Sequence, residues 1–431
     1  DNNFADFTVA TSTTPKNSNG ETYVLPPPPS NPIWAMYQKD ARHSGLATLS
    51  GPTWTSSSQA TTTWVFEMKQ GQDLDGARSQ AVVGSDGVVY VTSALGNVYA
   101  INPDGIQKWQ FEPSKSTDGG DGAGWAGASP ALSATSSVLY SVHTDTQSIP
   151  NKTILYAIQT SDKTRLWKFS INSNDGFTSP VLDSAGNIYI ASASKLYSIS
   201  QSGILRAGFP FTPTSQFSSS AIWIRTPAIA KEGANEHIYI TAQMSNNSGD
   251  RYIFKVDVSN GNEIWKSNAD MSNALFNGVS VNATGTIYTG GYLNIGTSGL
   301  FAISPADGSK IWSNNIGDVS GSVPNFDIGG KVYIGTVTTQ NSGAFNKVNA
   351  TSTLLWSFVP DEPSAVQHPA VIDSQGRVYV GAKNKLIYAL NPSGGAIIWK
   401  YELSDYAVGF AIGNGRVYVV GYDGKVYMFG Q

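Results

Sequence analysis

The chain has 431 residues, a net charge of −4 and only 13% charged residues, about half the share that is usual in globular domains. It contains no cysteine, which excludes disulfides, thiolate metal sites and a cysteine nucleophile. Its basic residues form no cluster of the kind that binds nucleic acid, and its apolar residues form no run long enough to span a membrane.

The chain opens with a polar and then proline-rich stretch, residues 1–33, with four consecutive prolines from Pro26 to Pro29. Proline favours the polyproline II conformation and cannot join the interior of a sheet. We interpret residues 1–33 as an extended tail or linker behind a cleaved signal peptide. In the alternative interpretation, residues 4–11 ("FADFTVAT") form an edge strand that pairs with another surface.

From residue 64 onward, one pattern recurs: a short strand, a turn and a second strand that ends in tryptophan. It is complete in "VYAINPDGIQKWQF" and in "KLIYALNPSGGAIIWKYEL". In the degenerate copy, Phe209 takes the place of the tryptophan. A period of roughly 45 residues is typical of propeller blades. The tryptophans are Trp64, Trp109, Trp167, Trp265, Trp312, Trp356 and Trp399.

Each repeat also has an earlier half, as in "HPAVIDSQGRVYVGA" (368–382), with period-two alternation and a turn between two runs. Each unit is therefore predicted to hold four short antiparallel strands, called A to D. The fold is predicted to be all-β, an eight-bladed propeller formed by residues 34–431 as one domain. Pairing of the strand near Trp64 with the C-terminal blade would close the ring. The tryptophans would fill the gaps between blades.

The turn before Trp399, "ALNPSGGAIIW" (389–399), and the lead-in "WAMYQKDARHSG" (34–45) carry a family resemblance. The chain resembles propellers of the pyrroloquinoline quinone (PQQ) repeat type. Some relatives are quinoprotein dehydrogenases that hold PQQ and Ca²⁺, and others are cofactor-free scaffolds of the BamB type. This chain lacks the vicinal cysteine pair of the dehydrogenases and the lipid-bearing cysteine of the scaffold. We therefore expect no cofactor, with PQQ or Ca²⁺ as the alternative.

The residues just before each A strand are predicted to surround the mouth of the central channel, on the face where the long loops cluster. Arginine suits carboxylates and aromatic rings stack on sugars, so an anionic or sugar-like ligand is predicted there. Alternatively, the arginines pair with Asp75 or Asp405, and the aromatic side chains plug the channel. The predicted ligand-binding residues are Arg78, Trp125, Trp223, Arg225, Asn277, Gln367, His368 and Tyr406.

No metal site is predicted. The acidic loops at 71–77 and 117–124 fit calcium only loosely and are interpreted as solvated turns, because neither has the spacing of a twelve-residue calcium loop. Four Asn-x-Ser/Thr sequons favour a secreted glycoprotein, although a chain this rich in Asn, Ser and Thr also produces them by chance. The sequons are at Asn151, Asn246, Asn282 and Asn349.

Two functions fit these features. The favoured one is a non-catalytic propeller, extracellular, on the cell surface or periplasmic, that binds protein or glycan through its loop face. Self-association through the rim or the tail is possible. The alternative is an enzyme at the channel mouth, a quinoprotein or a glycan-active lyase, with catalytic residues His368, Arg78 and Arg225. An open pocket with convergent arginine and histidine would favour the enzyme, and a plugged channel would favour the scaffold.

Overall fold

The computed structural model describes residues 33–70, 73–74, 76–121, 127–172, 177–192, 194–213, 222–244, 251–267, 275–292, 299–319, 323–337 and 342–430. The prediction of an all-β, eight-bladed propeller is confirmed, because the described strands form eight antiparallel blades. The proposed edge strand at 4–11 and the prolines at 26–29 lie outside the described residues.

Blades are numbered 1 to 8 in chain order, and their strands run from A beside the channel to D at the rim. Blade 1 consists of Val82–Val83, Val89–Thr92, Val98–Ile101 and Gln107–Phe111. Blade 2 consists of Ala131–Leu132, Val138–Asp145, Lys152–Gln159 and Arg165–Ile171. Blade 3 consists of Val181–Leu182, Ile188–Ser192 and Lys195–Ile199. Blade 4 consists of Ala228–Glu232, Asn235–Met244, Arg251–Asp257 and Glu263–Lys266, with Ile222–Ile224 added beside its B strand.

The second half of the ring continues the same order. Blade 5 consists of Leu275–Val281, Ile287–Tyr292, Gly299–Ile303 and Lys310–Asn314. Blade 6 consists of Asn325–Phe326, Val332–Gly335, Phe345–Val348 and Leu354–Phe358. Blade 7 consists of Val371–Ile372, Val378–Gly381, Leu386–Leu390 and Ile397–Glu402. Blade 8 consists of Ala407–Gly413, Arg416–Gly421, Lys425–Gly430 and Thr62–Glu67. Outside the blades lie a short 3₁₀ turn, Ser57–Gln59, and a hairpin of Lys69–Gln70 with Asp73–Leu74.

The ring closes in blade 8, as predicted. Thr62–Glu67 pairs antiparallel with Lys425–Gly430, with Trp64 opposite Met428 and Phe66 opposite Val426. One blade thus takes strands from both ends of the described chain. This closure leaves no open edge between the first and last blades.

Blade 3 departs from the four-strand pattern. In place of strand D, residues 205–211 touch the C strand through two isolated bridges, Leu205 to Ile199 and Phe211 to Leu196. Pro210 lies inside this segment and has no N–H to donate, which interrupts the ladder. Phe209 still packs against Tyr189, with ring centroids 5.9 Å apart.

Aromatic pairs form the core of the blades. In every blade the B-strand tyrosine packs on the D-strand tryptophan, or on Phe209 in blade 3, with ring centroids 5.7 to 6.1 Å apart. The seven Tyr–Trp pairs are Tyr418–Trp64, Tyr90–Trp109, Tyr140–Trp167, Tyr239–Trp265, Tyr288–Trp312, Tyr333–Trp356 and Tyr379–Trp399.

Six of these tryptophans also join neighbouring blades. Each donates its indole N–H to a carbonyl oxygen in the C–D turn of the following blade, at 2.8 to 3.1 Å. The pairs are Trp64–Pro103, Trp109–Thr160, Trp167–Gln201, Trp265–Pro305, Trp312–Ala350 and Trp356–Pro392.

Trp399 lies at the closure, where blade 8 has the chain terminus instead of a C–D turn. Its indole nitrogen has no hydrogen-bond partner among the described residues. Its ring packs instead on Trp54 and Phe429, with centroids 5.5 and 6.0 Å away.

The lead-in extends in the structure from residue 34 to residue 50. It runs beneath the channel, at the end where the A strands finish. Its backbone is hydrogen-bonded to blades 1, 2, 4, 5, 6, 7 and 8. The A-strand residues that take part are Val83, Leu132, Ile229, Val281, Phe326 and Ile372, and Gly415 of the A–B turn bonds in blade 8. His43 is fully buried in this segment, with Nδ1 2.8 Å from the carbonyl oxygen of Val279. The lead-in therefore closes the base of the channel.

Candidate functional site

The channel opens into a cavity of about 270 Å³ on the face opposite the lead-in. Its floor is Tyr37 of the lead-in, and its walls come from residues at or just before the A strands. Arg78, Arg225 and His368, which the sequence placed at the mouth, line this one cavity together with Phe177. The structure therefore brings the two predicted cations and the predicted histidine together.

Arg225 is the cation that lies deepest in the wall. It follows the short strand Ile222–Ile224, and its backbone N–H donates to the Thr241 carbonyl oxygen at 3.2 Å. Its Nε is buried and has no hydrogen-bond partner among the described residues. Burial lowers the pKa of the guanidinium, which is the sign of a charge that has lost water. An anion entering the cavity would supply the missing partner.

Three hydroxyl groups in the wall accept hydrogen bonds from backbone N–H groups and can donate their own hydrogen. Ser129 Oγ accepts the backbone N–H of Gln80 at 2.8 Å, and Ser179 Oγ accepts that of Ser129 at 2.9 Å. Thr178 Oγ1 accepts the N–H of Ala191 at 2.9 Å. Each hydroxyl therefore still has its own hydrogen to donate and one lone pair with which to accept. The described lining contains two arginines and no carboxylate, so its hydrogen-bonding capacity favours anions.

His368 is held neutral in this wall. Burial, together with the nearby Lys383 charge, lowers its pKa to about 4. Its ring stacks on Tyr406 with centroids 5.8 Å apart, and Tyr406 in turn stacks on Tyr422 at 4.8 Å. A general base works best with a pKa near the operating pH, so this histidine is a weak base at neutral pH.

A second pocket of about 210 Å³ adjoins the cavity and contains Trp223. Its lining includes Phe177, Ile224 and Arg225, which also line the central cavity. Trp223 is 44% exposed, a large fraction for an aromatic side chain of this size. Trp223 is not part of the lining of the central cavity.

The remaining predicted residues are distributed around this site. Tyr406 lies behind His368, and Gln367 is half-buried beside it and is not part of the cavity lining. Trp125, Asp75 and the side chain of Asn277 fall outside the described part of the chain. Asp405 accepts the backbone N–H of Tyr406 at 2.8 Å.

The cavity hydroxyls were not predicted, although the sequence contains a signal for two of them. Residues that directly precede an A-strand proline line the cavity in four blades. These residues are Ser129, Ser179, Thr226 and His368.

The acidic residues of the 117–124 loop that the structure describes are already paired. Asp118 lies 3.2 Å from Lys163, and Asp121 lies 2.7 Å from Lys168. Across the described ranges, no cluster of three or more His, Asp or Glu side chains could hold a metal ion. Within the same ranges, no helix has the length and apolar character that a membrane crossing needs.

Two sequon asparagines form turns. Asn282 Oδ1 accepts the N–H groups of Thr284 and Thr286 at 3.0 and 2.9 Å, and Asn349 Oδ1 accepts those of Thr351 and Thr353 at 3.0 and 2.8 Å. Turn chemistry thus accounts for Asn-x-Thr at both positions. Asn151 is half-buried, and Asn246 lies outside the described residues.

Comparison with known proteins identifies the family. The family described as outer membrane protein assembly factor BamB matches residues 6–203, 65–267, 249–371 and 341–431. No curated protein sequence is significantly similar to this chain.

Three solved structures share the fold. BamB from Moraxella catarrhalis has 15% identity and a TM-score of 0.59, over 86% of this chain and 98% of that one. A quinohemoprotein alcohol dehydrogenase from Comamonas testosteroni has 13% identity and a TM-score of 0.65, over 92% and 80%. A europium-containing methanol dehydrogenase has 12% identity and a TM-score of 0.64, over 94% and 98%. At such identities the likeness shows the fold alone. The family match covers most of the sequence, and the chain therefore belongs to the BamB-like family of PQQ-repeat propellers.

Proposed function

We propose that the chain is a secreted, cell-surface or periplasmic propeller without catalytic activity, which binds a protein or glycan through its loop face. The observation that supports this proposal is the lining of the mouth cavity, with two arginines, three donating hydroxyls and no described carboxylate. Such a lining favours the acidic groups of a partner, because arginine offers carboxylates a planar fork of donors. The floor formed by the lead-in limits access to the loop face.

An enzyme is the second candidate, because the cavity is open and brings arginine and histidine together. The pKa of about 4 for His368 argues against a lyase that abstracts a proton at neutral pH. In an enzyme, Arg78 and Arg225 would orient an acidic substrate and His368 would accept a hydrogen bond.

The described cavity fits only part of a quinoprotein cofactor. The carboxylates of PQQ would find partners in Arg78 and Arg225. Ca²⁺ prefers six to eight oxygen ligands that include carboxylates, and the described lining offers hydroxyls and one amide. The residues present therefore do not fit the metal.

Family membership supports a location outside the cytoplasm and a protein partner, since the family is described as an outer membrane assembly factor. Glycosylation at Asn151, Asn246, Asn282 or Asn349 and self-assembly through the rim or the tail belong to the same proposal. Mass spectrometry of the native protein tests the sequons.

Thermal denaturation tests the proposed function. Melting temperatures are measured alone, with PQQ plus Ca²⁺, with acidic oligosaccharides and with an acidic peptide. A ligand at about 100 times its Kd adds about 2.7 kcal/mol of stability. We expect a rise with an acidic oligosaccharide or peptide and none with PQQ plus Ca²⁺. A rise specific to PQQ plus Ca²⁺ would replace the proposal with a quinoprotein.

A further inference from the structure

The side pocket and the central cavity are neighbouring compartments with different chemical characters. Phe177, Ile224 and Arg225 line both compartments. The side pocket is also lined by Trp223, a large and partly exposed aromatic side chain. On the cavity side are the second arginine and the donating hydroxyls. A ligand that fills both compartments needs an apolar face next to an anionic group.

Trp223 and Arg225 are two residues apart at the end of one strand of blade 4. Trp223 pairs with Gln243 in the blade 4 sheet, and the N–H of Arg225 continues the same ladder to Thr241. Residues two apart on a strand point to the same side, with their Cα atoms about 6–7 Å apart. Arg225 directly follows the strand, so its side chain is expected on the same side as that of Trp223. Long B and C strands, Asn235–Met244 and Arg251–Asp257, support the short strand that carries them.

We propose that this site takes the hexuronate residue of an acidic glycan, which deepens the proposed function and rests on it. The pyranose C–H face stacks on Trp223, and the carboxylate at the edge of the same ring meets Arg225 and the donors of the cavity. The ring holds its carboxylate at a fixed short distance from its apolar face, as the strand holds Arg225 beside Trp223.

Other ligands satisfy only one half of the site. A neutral sugar offers the stacking face and leaves the buried guanidinium without an anion, which carries a desolvation cost. An aspartate or glutamate side chain offers the carboxylate on a flexible stem, with no rigid face to cover Trp223. The proposal involves binding only, and no bond is made or broken.

Calorimetric titration tests this inference with three probes: an oligogalacturonate, its carboxyl-reduced neutral counterpart and a polyglutamate peptide. We expect the oligogalacturonate to bind at least about tenfold more tightly than either, a difference of about 1.4 kcal/mol. Trp223→Ala is expected to weaken oligogalacturonate binding about tenfold and to leave polyglutamate binding unchanged. Trp223→Phe keeps a smaller ring, so its affinity for oligogalacturonate is expected to lie between those of wild type and Trp223→Ala. Arg225→Gln is expected to weaken binding of both anions at least about tenfold.

Matched controls lie away from the site. Ile264→Ala removes an apolar side chain of similar exposure, 45% against 44%, from the rim. Lys231→Gln removes an exposed positive charge at the opposite end of blade 4. Both controls are expected to bind within about twofold of wild type, as surface changes away from a site usually do.

The outcomes separate this inference from the proposed function. If polyglutamate binds in an Arg225-dependent way and oligogalacturonate does not, the uronate assignment is wrong and the anion-binding mouth stands. Equal affinity for oligogalacturonate and its neutral counterpart, or full affinity in Trp223→Ala, also rejects the uronate assignment. If neither anion binds, both proposals fail.

Discussion

Trp356 donates its indole N–H to the carbonyl oxygen of Pro392 at 3.0 Å, across the boundary between blades 6 and 7. The ring lies against Gly395, which has a φ of +73°. A Cβ on this glycine would sit 2.7 Å from Trp356 Cε3. Two features thus explain the glycine in the turn before Trp399: its backbone conformation and the Trp356 ring that covers it.

Gly395→Ala is therefore expected to lower the free energy of unfolding by more than the backbone strain alone, which costs about 1–3 kcal/mol. Chemical denaturation measures the change. Gly394→Ala is the first control, since no atom lies within 4 Å of its added methyl group. Gly330→Ala is the second, because it has a φ of +72° and equally open space. Equal losses in Gly395→Ala and Gly330→Ala would contradict the contact with Trp356.

Lys347 lies opposite Trp356 in blade 6, where blade 7 has Ala389 opposite Trp399, and it reinforces the same contact. Its Nζ lies 2.9 Å from the Pro392 carbonyl oxygen and 3.5 Å from Asp327. Lys347→Gln leaves Asp327, itself mostly buried, without its cation, and is expected to cost about 3 kcal/mol. Lys331→Gln, a neighbouring lysine outside this contact, should cost less than about 0.5 kcal/mol. Equal stability of the two variants would show that the buried lysine contributes nothing.

We expect the lead-in to be essential to the fold and the tail to be dispensable for it. Removal of residues 1–32 should leave the melting temperature within about 2 °C of wild type, because a change under about 0.5 kcal/mol moves it little. Removal of residues 1–50 takes away the backbone partners of seven blades and the buried Trp34, and should abolish cooperative melting. If the chain without residues 1–50 still melts cooperatively near the wild-type temperature, the lead-in is not essential to the fold.

Buried histidines should make the protein sensitive to mild acid. Burial lowers the pKa of His143 to about 3 and those of His43 and His368 to about 4. The unfolded chain binds these protons below about pH 6.5, so it takes up more protons than the folded chain between that pH and about 4. The free energy of unfolding therefore falls as the pH is lowered through this window, by at most about 1.4 kcal/mol per pH unit for each histidine.

His143→Gln cannot titrate and should flatten that pH dependence by about one proton. Denaturant titrations at several pH values between 6.5 and 4 measure the slope. His237→Gln is the comparison, since His237 is only half-buried. An unchanged slope in His143→Gln would mean that this imidazole is protonated in the folded state.

The eight blades were predictable because their signals are local. Alternation, turn glycines and the D-strand tryptophan repeat within each unit, so counting them gives both the number of blades and the closure at Trp64. The irregular edge of blade 3 was marked by Phe209 and its adjacent proline, although the sequence did not show how residues 205–211 would lie.

The path of the lead-in was not predictable, because residues 34–50 contact strands as far away as Gly415 and no local pattern encodes those partners. The mouth was predicted in part. Topology places residues before each A strand at the channel, which located Arg78, Arg225 and His368. The donating hydroxyls depend on backbone partners such as Gln80 and Ala191, which only the structure supplies.

The most direct test of the anion-binding mouth is the melting temperature of Arg78→Gln/Arg225→Gln, with and without a saturating acidic oligosaccharide. Lys231→Gln/Lys310→Gln is the control, because it removes the same charge from exposed positions at the far ends of the blades. Wild type and the control should show the same ligand-dependent rise, and the arginine variant should show none. An undiminished rise in the arginine variant would contradict the proposal that the channel mouth binds anions.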